Sequence, residues 1–223
     1  MTQDFLQLIR ERHSTRAFLP QPVERALVEK ILNTARFAPS STNMQPWEVL
    51  VLQGAAKTRL DQLLLGLFDA GEPGNPQLHA YLDEWVEPYK SRRFACGTGL
   101  YKTLGIDRSD KAARQAQSRR NFDAFGAPTA LIFYQDGFLK PGSILDLGMF
   151  LQNVMLAAQA LGLATCAEAS LVAWPDQLKQ AFALAPGKRL LTGLALGWPD
   201  PAAPVNTFRT ARAEVHEFAR FLE

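Results

Sequence analysis

The feature that most constrains this fold is an apolar stretch that runs from Met149 to Cys166. Gln152, Asn153 and Gln159 interrupt it, whereas a membrane-spanning helix needs about 20 predominantly apolar residues. The helical pattern itself covers residues 145–161. We therefore predict a central buried helix with the rest of the chain packed around it, and no membrane partner.

Short apolar runs and amphipathic segments occur on both sides of this helix. Buried strands are predicted at residues 49–52, 129–134, 164–168 and 190–196. Helices are predicted at residues 5–11, 23–35, 55–69 and 175–182. A terminal amphipathic helix is predicted to carry Val215, Phe218 and Leu222 on one side. The pattern indicates a single domain, residues 1–223, with an α/β-type or α+β layer fold.

Residues 78–120 show a weaker pattern, in which aromatic residues such as Trp85 and Tyr101 are mixed with many charges. We predict one or two helices, broken at Gly97-Thr98-Gly99, that form an excursion from the main layers and cover a functional site. The arginines of this excursion either favour an acidic substrate or are plain surface charge; among them are Arg92, Arg93, Arg119 and Arg120.

Composition and charge argue against several function classes. A net charge of +2 gives no reason to expect nucleic acid or an anionic membrane as a partner. Cys96 and Cys166 have neither zinc nor disulfide spacing, so we predict no metal site and a cytoplasmic location. Asp4 and Glu11 argue against a signal or transit sequence. The sequence has no G-x-G-x-x-G, P-loop, H-E-x-x-H or G-x-S-x-G motif.

The first of four polar segments that carry candidate binding residues directly follows the first helix. It contains Arg12, His13, Ser14 and Arg16. Its two guanidinium groups and its hydroxyl can converge on one phosphate through charge-assisted hydrogen bonds. The alternative is a solvated basic turn.

The second polar segment lies between a helix and a strand and is bounded by prolines. Its candidate residues are Pro39, Ser40, Ser41, Asn43 and Gln45. Donors and acceptors on a rigid turn suit the polar edge of a flavin ring. The alternative is a loop that satisfies its own turns with these side chains.

The third segment, residues 162–169, is rich in small residues and contains Ala167, Glu168 and Ala169. Small side chains let the backbone approach a ligand closely, so that its N–H groups face a ring. The alternative is a helix-capping glycine that leads into a strand. Cys166 has no nearby histidine in the sequence and is predicted to lie in the core.

The fourth segment places Arg209 and Arg212 just ahead of the predicted terminal helix. The positive end of a helix dipole would add to their attraction for an anion. The alternative is a pair of arginines on a solvated tail.

The order of these segments resembles the nitroreductase family of flavoproteins. Its pattern R-[RH]-S-x-R-x-[FY] is matched by residues 12–18, and A-P-S-x-x-N-x-Q-P-W by residues 38–47. The late apolar helix, the turn at residues 196–199 and the final Arg-x-x-Arg extend the similarity over essentially the whole chain. Residues 101–106 and 121–128 resemble the branch that includes nitrobenzoate-type reductases.

The resemblance implies an α+β fold with a mixed sheet flanked by helices, and an intertwined homodimer with two FMN sites at its interface. Arg12, Ser14 and Arg16 would bind the ribityl phosphate and the pyrimidine edge from one subunit. The other subunit would reach the same flavin with its second polar segment, through Ser40, Ser41 and Asn43.

The resemblance also places the backbone near Glu168 beside flavin N5, and it completes the phosphate pocket with Arg212 and Arg209. Arg16 is the candidate that stabilises the anionic reduced flavin. His13 stands where the family often has arginine, and residues 167–170 differ from the commoner glycine-containing version.

The implied function is that of an NAD(P)H-dependent nitroreductase. NADH or NADPH would pass hydride to flavin N5 and leave before a nitroaromatic or similar small electrophilic acceptor takes its place. This ping-pong cycle needs no dinucleotide domain and no catalytic side chain. The alternatives are a non-catalytic FMN-binding module, or a flavin or enone reductase on the same scaffold.

Overall fold

A computed structural model describes residues 5–79 and 81–222. The helices are α1 (Phe5–Glu11), α2 (Arg25–Ala35), α3 (Ala55–Asp69), α4 (Tyr89–Thr103), α5 (Lys111–Arg119), α6 (Gly142–Ala160), α7 (Pro175–Ala181) and α8 (Val215–Phe218). The strands are β1 (Glu48–Gln53), β2 (Thr129–Asp136), β3 (Ala164–Glu168) and β4 (Lys188–Gly197). Every strand predicted from the sequence is present, and the fold is α+β as expected.

The four strands form one sheet in the order β1-β2-β4-β3, and all three neighbouring pairs are antiparallel. A register shift between Phe133 and Tyr134 marks a bulge in β2. The parallel component is an isolated bridge between Ser14 and Thr165. This bridge attaches the segment after α1 to β3, at the edge of the sheet.

Side chains that alternate along β2 and β4 supply two separate cores. On one face Leu131 and Leu194 pack with α2 and α6, where Ile31 and Val154 are fully buried. On the opposite face Ile132 packs in a second cluster with residues of α3 and of the turn after β3. Successive side chains along a strand point to opposite faces of the sheet. The same two strands therefore contribute residues to the cores on both faces.

Helix α6 is the central helix expected from the apolar stretch, and it begins three residues earlier than predicted. Leu147, Phe150 and Val154 face the sheet, whereas 74% of Leu145 is exposed on the opposite side. Within the described ranges, no helix has the length and apolarity needed to cross a membrane.

The predicted break at Gly97-Thr98-Gly99 is wrong, because α4 continues through these residues to Thr103. A Cβ on Gly99 would lie 2.7 Å from the Phe208 ring. The glycine therefore allows close packing of α4 against the segment before Arg209, and it does not end the helix. The chain turns later, between Thr103 and Lys111.

The predicted terminal helix is also wrong in length, since α8 is a single turn. Its predicted apolar side is exposed in the described chain: 55% for Val215, 71% for Phe218 and 78% for Leu222. Short helices depend on packing for their stability, and these side chains have little surface of their own chain to pack against. The dipole expected to assist Arg209 and Arg212 is correspondingly small.

Gly193 fixes how the turn after β3 packs on the sheet. A Cβ at this position would lie 2.4 Å from the Leu171 Cβ, and Gly193 is the partner of Glu168 in the ladder. We expect Gly193→Ala to lower the free energy of unfolding by about 1–3 kcal/mol through overpacking, measured by urea denaturation.

Gly66→Ala is the matched control, because Gly66 is exposed within α3 and an added Cβ there would meet nothing within 4 Å. It should raise stability by about 0.5–1 kcal/mol through helix propensity. Equal stabilities of Gly193→Ala and the parent would contradict the close packing described here.

Candidate functional site

The first polar segment is attached to two elements from the far end of the chain. The Thr15 N–H donates to the Thr165 carbonyl at 3.0 Å, which aligns the segment with β3. The Gln159 side chain donates to the Leu8 carbonyl at 3.0 Å and attaches α1 to the end of α6. These contacts bring the first polar segment next to the third.

Asn206 joins the fourth segment to the first. Its Oδ1 accepts from the Arg16 backbone N–H at 2.8 Å, and its Nδ2 donates to the Ala17 and Asp200 carbonyls at 2.8 and 2.9 Å. The amide of Asn206 therefore makes three hydrogen bonds, and all three are to main-chain atoms. The sequence analysis named the arginines of this segment and did not identify Asn206, since nothing local distinguishes it from a surface asparagine.

The joined segments form a cluster of positive charge. Burial and the nearby charge of Arg212 lower the pKa of the Arg12 guanidinium. Burial also lowers the pKa of His13, and the charges of Arg209, Arg12 and Arg16 act in the same direction while the Glu11 carbonyl opposes them. Among the described residues, none of these four arginines forms an ion pair with a carboxylate. Such a cluster is suited to an anion that can accept several charge-assisted hydrogen bonds.

A cavity of about 460 Å³ opens beside this cluster. Arg12, His13 and Arg209 line it, together with Thr15 and residues of the turn before β3. Thr15 is 1% exposed, and its hydroxyl oxygen has no hydrogen-bond partner within the described ranges. Arg16 and Arg212 are not among the residues that line this cavity; Arg16 instead lies 5.9 Å from the centre of the Phe125 ring.

The second polar segment forms a strained turn. Thr42, Asn43 and Gln45 have φ angles of 50°, 58° and 49°, in the left-handed region that a β-branched residue such as Thr42 rarely adopts. The Ser40 hydroxyl accepts from the Gln45 N–H at 2.9 Å and closes the turn. Strain of this kind costs about 1–3 kcal/mol per residue and is concentrated at functional sites.

Asp146, in the first turns of α6, holds this strained turn in place. It is 5% exposed, and its Oδ2 accepts from the Ser41 N–H at 3.3 Å. A separate cavity of about 710 Å³ lies here, lined in part by Pro39, Ser40 and Ser41. The sequence analysis did not identify Asp146, because a carboxylate in an apolar helix gives no local sign of its partner.

Within one chain, the first and second polar segments do not come together. Gln159 contacts the chain just before Arg12, and Asp146 contacts Ser41, at opposite ends of α6. At 1.5 Å per residue, these two contacts are about 20 Å apart along the helix.

The third segment places three predicted residues in different environments. Ala167 is exposed, Ala169 is half-buried, and Glu168 is 5% exposed. Burial raises the pKa of Glu168 well above its ordinary value, although the charges of Arg16 and Lys57 oppose this. Cys166 is buried as predicted, and burial raises the pKa of its thiol to about 12, which does not suit a nucleophile.

The four arginines named in the excursion over residues 78–120 are engaged by carboxylates or an aromatic ring of the same chain. Arg119 pairs with Asp69 at 2.7 Å, Arg120 with Asp123 at 3.2 Å and Arg92 with Glu217 at 3.4 Å, and Arg93 stacks on the Trp85 ring. The described residues contain no cluster of three or more side chains that could hold a metal ion.

Comparisons with known proteins identify the relatives of this chain. The chain is 38% identical to a 4-nitrobenzoate reductase of Pseudomonas putida over 222 residues, which cover 100% of this chain and 97% of the relative. It is 37% identical to a nitrobenzene nitroreductase of Ectopseudomonas oleovorans, with coverage of 96% and 95%.

Solved structures show the same fold. The FMN- and NADPH-dependent nitroreductase NfnB of Sphigopyxis sp. strain HMH superposes with a TM-score of 0.95, at 33% identity and with 99% of both chains covered. The FMN-dependent NfnB of Mycobacterium smegmatis, solved in complex with NADPH, gives a TM-score of 0.92 at 29% identity, with coverage of 98% and 97%. The model of the nitroreductase family matches residues 9–198. The chain therefore belongs to the nitroreductase family.

Proposed function

We propose that this protein is an FMN- and NAD(P)H-dependent nitroreductase that reduces nitroaromatic compounds or similar small electrophilic acceptors. The observation that carries the proposal is the group of four arginines, joined by Asn206 and β3, that has no carboxylate partner in the described part of the chain. A phosphate group would supply the missing negative charge. The relatives and solved neighbours support the choice of FMN and a nicotinamide.

The side chains present fit FMN in two ways. Arg12, His13 and Arg209 face one cavity, where they would hold the phosphate, and Arg212 adds its charge to that of Arg12. The turn of Ser40 and Asn43 presents polar groups that suit the edge of the ring. When bound, FMN would supply the redox chemistry, with NADH or NADPH as the hydride donor to N5 and the acceptor reduced in a second half-reaction.

The residues of the chain then bind and orient, and no side chain is needed as a catalytic acid or base. The backbone of residues 167–169 lies at the end of β3, where small side chains leave room for a ring to approach. Arg16 supplies positive charge that would stabilise an anionic reduced flavin. The α4–α5 excursion is held beside Arg209 by the contact of Gly99 with Phe208, and from there it would border the path of the acceptor.

We further propose that each FMN site is shared between two subunits of a homodimer. The two polar segments lie about 20 Å apart along α6 in one chain, too far to meet on one ring system. In a two-fold dimer, one end of α6 can lie beside the opposite end of its partner. Large apolar side chains exposed in the single chain are available for that interface, including Phe5, Leu145, Phe218 and Leu222.

Two other readings remain as alternatives, and both predict a different result on turnover. A non-catalytic FMN-binding module would stay oxidised with nicotinamide, and a flavin or enone reductase would use other acceptors.

We also propose that the whole chain is a single domain and that the protein works in the reducing cytoplasm, which suits its two free cysteines.

The function is tested by absorbance spectroscopy. The protein should purify yellow with about one FMN per chain, since each chain carries one set of binding segments. The flavin absorbance should bleach anaerobically with NADH or NADPH and return on addition of a nitroaromatic compound. A colourless protein that cannot be reconstituted with FMN would refute the proposal, and a flavin that nicotinamide does not bleach would favour the non-catalytic module.

The arginine cluster is tested by FMN affinity. Arg12→Ala or Arg212→Ala should each remove a charge-assisted contact worth roughly 1.5–3 kcal/mol, which weakens FMN binding about tenfold to a hundredfold. Arg25→Ala is the matched control, because Arg25 is an exposed arginine that pairs with Glu29 on the surface of α2. In FMN titrations of the three apo-proteins, the control should bind FMN more tightly than the other two variants do. Equal affinities in all three would show that the cluster is only surface charge.

The shared site is tested by mixing subunits. Arg12→Ala and Asn43→Ala homodimers should both be impaired. In a heterodimer, one site would carry both lesions and the other neither, so each heterodimer should have about half of the parental activity. Random reassociation of equal amounts makes about half of the dimers heterodimers, so the mixture should recover about a quarter of the parental activity. Mixing Arg12→Ala with Arg212→Ala subunits is the control, since both lesions lie in the same polar cluster and no intact site can form. If the first mixture shows no recovery, each site lies within one chain.

A further inference from the structure

The buried carboxyl group of Glu168 makes no geometrically formed hydrogen bond to the residues that the structure describes, although the nearby Ser170 hydroxyl acts to lower its pKa. The residue is 5% exposed, and neither of its carboxyl oxygens has a partner among the described residues. Leaving a buried polar group unpaired costs about 1–3 kcal/mol, and more for a charged one. Such groups are few in native proteins, so a carboxyl in this condition at the end of β3 requires an explanation.

The elements packed around Glu168 bring several charged groups near it. Arg16 comes from the segment after α1, Lys57 from α3, and Asp123 from the turns before β2. Two polar groups lie close in sequence: the Ser170 hydroxyl donates to the Asn121 carbonyl at 3.1 Å, and Cys166 precedes Glu168 on β3.

Most of these charged groups already have partners. The Lys57 ammonium donates to both Asp61 carboxylate oxygens, at 2.7 and 2.6 Å, and to the Asp123 carbonyl at 3.2 Å. Asp123 pairs with Arg120 at 3.2 Å. Arg16 differs, because its guanidinium donates only to the Ser14 carbonyl, at 3.4 Å, and has no carboxylate partner in the described ranges.

The charge state of Glu168 therefore determines the charge around Arg16. Burial is the main cause that raises the pKa of Glu168, and the negative charge of Asp123 adds to it. A raised pKa shifts the carboxyl towards its neutral form, and in that form it does not cancel the positive charge of Arg16. When Glu168 loses its proton to water at higher pH, the resulting carboxylate compensates that charge.

We propose that Glu168 is a positioning residue that tunes the flavin through Arg16: as a neutral acid it leaves the guanidinium charge available to stabilise the reduced cofactor, and as a carboxylate it cancels that charge. The inference rests on the proposed function, because it assigns Arg16 to the reduced flavin. It also explains why the carboxyl is buried without a partner, since a hydrogen-bonded ion pair with Arg16 would remove the charge the reaction uses.

Ionisation of Glu168 must weaken binding of reduced FMN relative to oxidised FMN. An opposite charge nearby changes proton affinity by about tenfold to a thousandfold in proteins. We expect a change of about tenfold or more in the ratio of the two FMN affinities, which appears as a fall in the flavin midpoint potential. Glu168→Gln keeps the shape of the side chain and is neutral at every pH. Its flavin midpoint potential should therefore match that of the parent near neutral pH and stay above the parent's potential as the pH rises.

The test combines two measurements on the FMN-loaded protein. Infrared spectroscopy should show a protonated-carboxyl band near neutral pH that Glu168→Gln removes and Glu168→Asp shifts. The flavin midpoint potential is then measured against pH. The potential of the parent should fall below that of Glu168→Gln over the pH range in which the carboxyl band disappears. Glu29→Gln is the control, because Glu29 is an exposed carboxylate that pairs with Arg25 on the surface of α2, and neither residue is among the charged groups near Glu168. It should follow the parent curve.

Each other outcome overturns the proposal. If the band is absent near neutral pH, Glu168 is already ionised. If the band disappears and the two potentials do not diverge, the carboxyl does not act through Arg16. The band could also persist at every pH tolerated by the protein while the two midpoint potentials stay equal. In that case Glu168 never ionises and never cancels the charge of Arg16. Failure of the proposed function is separate, because a chain that binds no FMN still reports its carboxyl band by infrared spectroscopy.

Discussion

Packing of α6 against the sheet determines where the functional groups of this chain lie. The helix covers one face of the sheet through Leu147, Phe150 and Val154, and each of its ends holds a different polar segment. Because the helix is rigid and about 28 Å long at 1.5 Å per residue, these segments cannot approach each other within one chain. The separation is therefore a geometric consequence of a well-packed core. It also gives a physical reason for a site that needs a second copy of the chain.

The positive charges beside β3 are incompletely compensated. Arginines gather beside β3 with no carboxylate partner in the described residues, and burial raises the pKa of the buried Glu168 carboxyl well above its ordinary value. Unpaired cations of this kind repel one another, and burial together with the nearby charge of Arg212 lowers the pKa of Arg12. A bound phosphate would convert this repulsion into binding energy. The strained turn at Thr42 and Asn43 fits the same pattern, in which local stability is lower where binding groups are presented.

The side chains that stabilise the fold and the α4–α5 excursion beside the candidate site are separate parts of the chain. The two cores on the faces of the sheet contain the fully buried side chains, while the excursion of α4 and α5 contains none that is fully buried. Its attachment depends on a few contacts, among them Gly99 against Phe208 and Arg92 with Glu217. An element held by so few contacts can vary in sequence and position at little cost to the fold.

The amino-acid sequence by itself determined the strands, the central helix and the four polar segments, because these depend on local periodicity and on residue types at fixed spacing. It failed at Gly97-Thr98-Gly99 and at the terminal helix, where the outcome depends on Phe208 and on the absence of a packing surface for Phe218. Only the tertiary structure identified Asn206 and Asp146, whose partners are about 190 and 105 positions away in the chain. It alone showed that Glu168 is buried near Arg16 and makes no geometrically formed hydrogen bond within the described part of the chain. Hydrogen bonds and burial across such distances depend on how the layers pack, and no local pattern of residues records that packing.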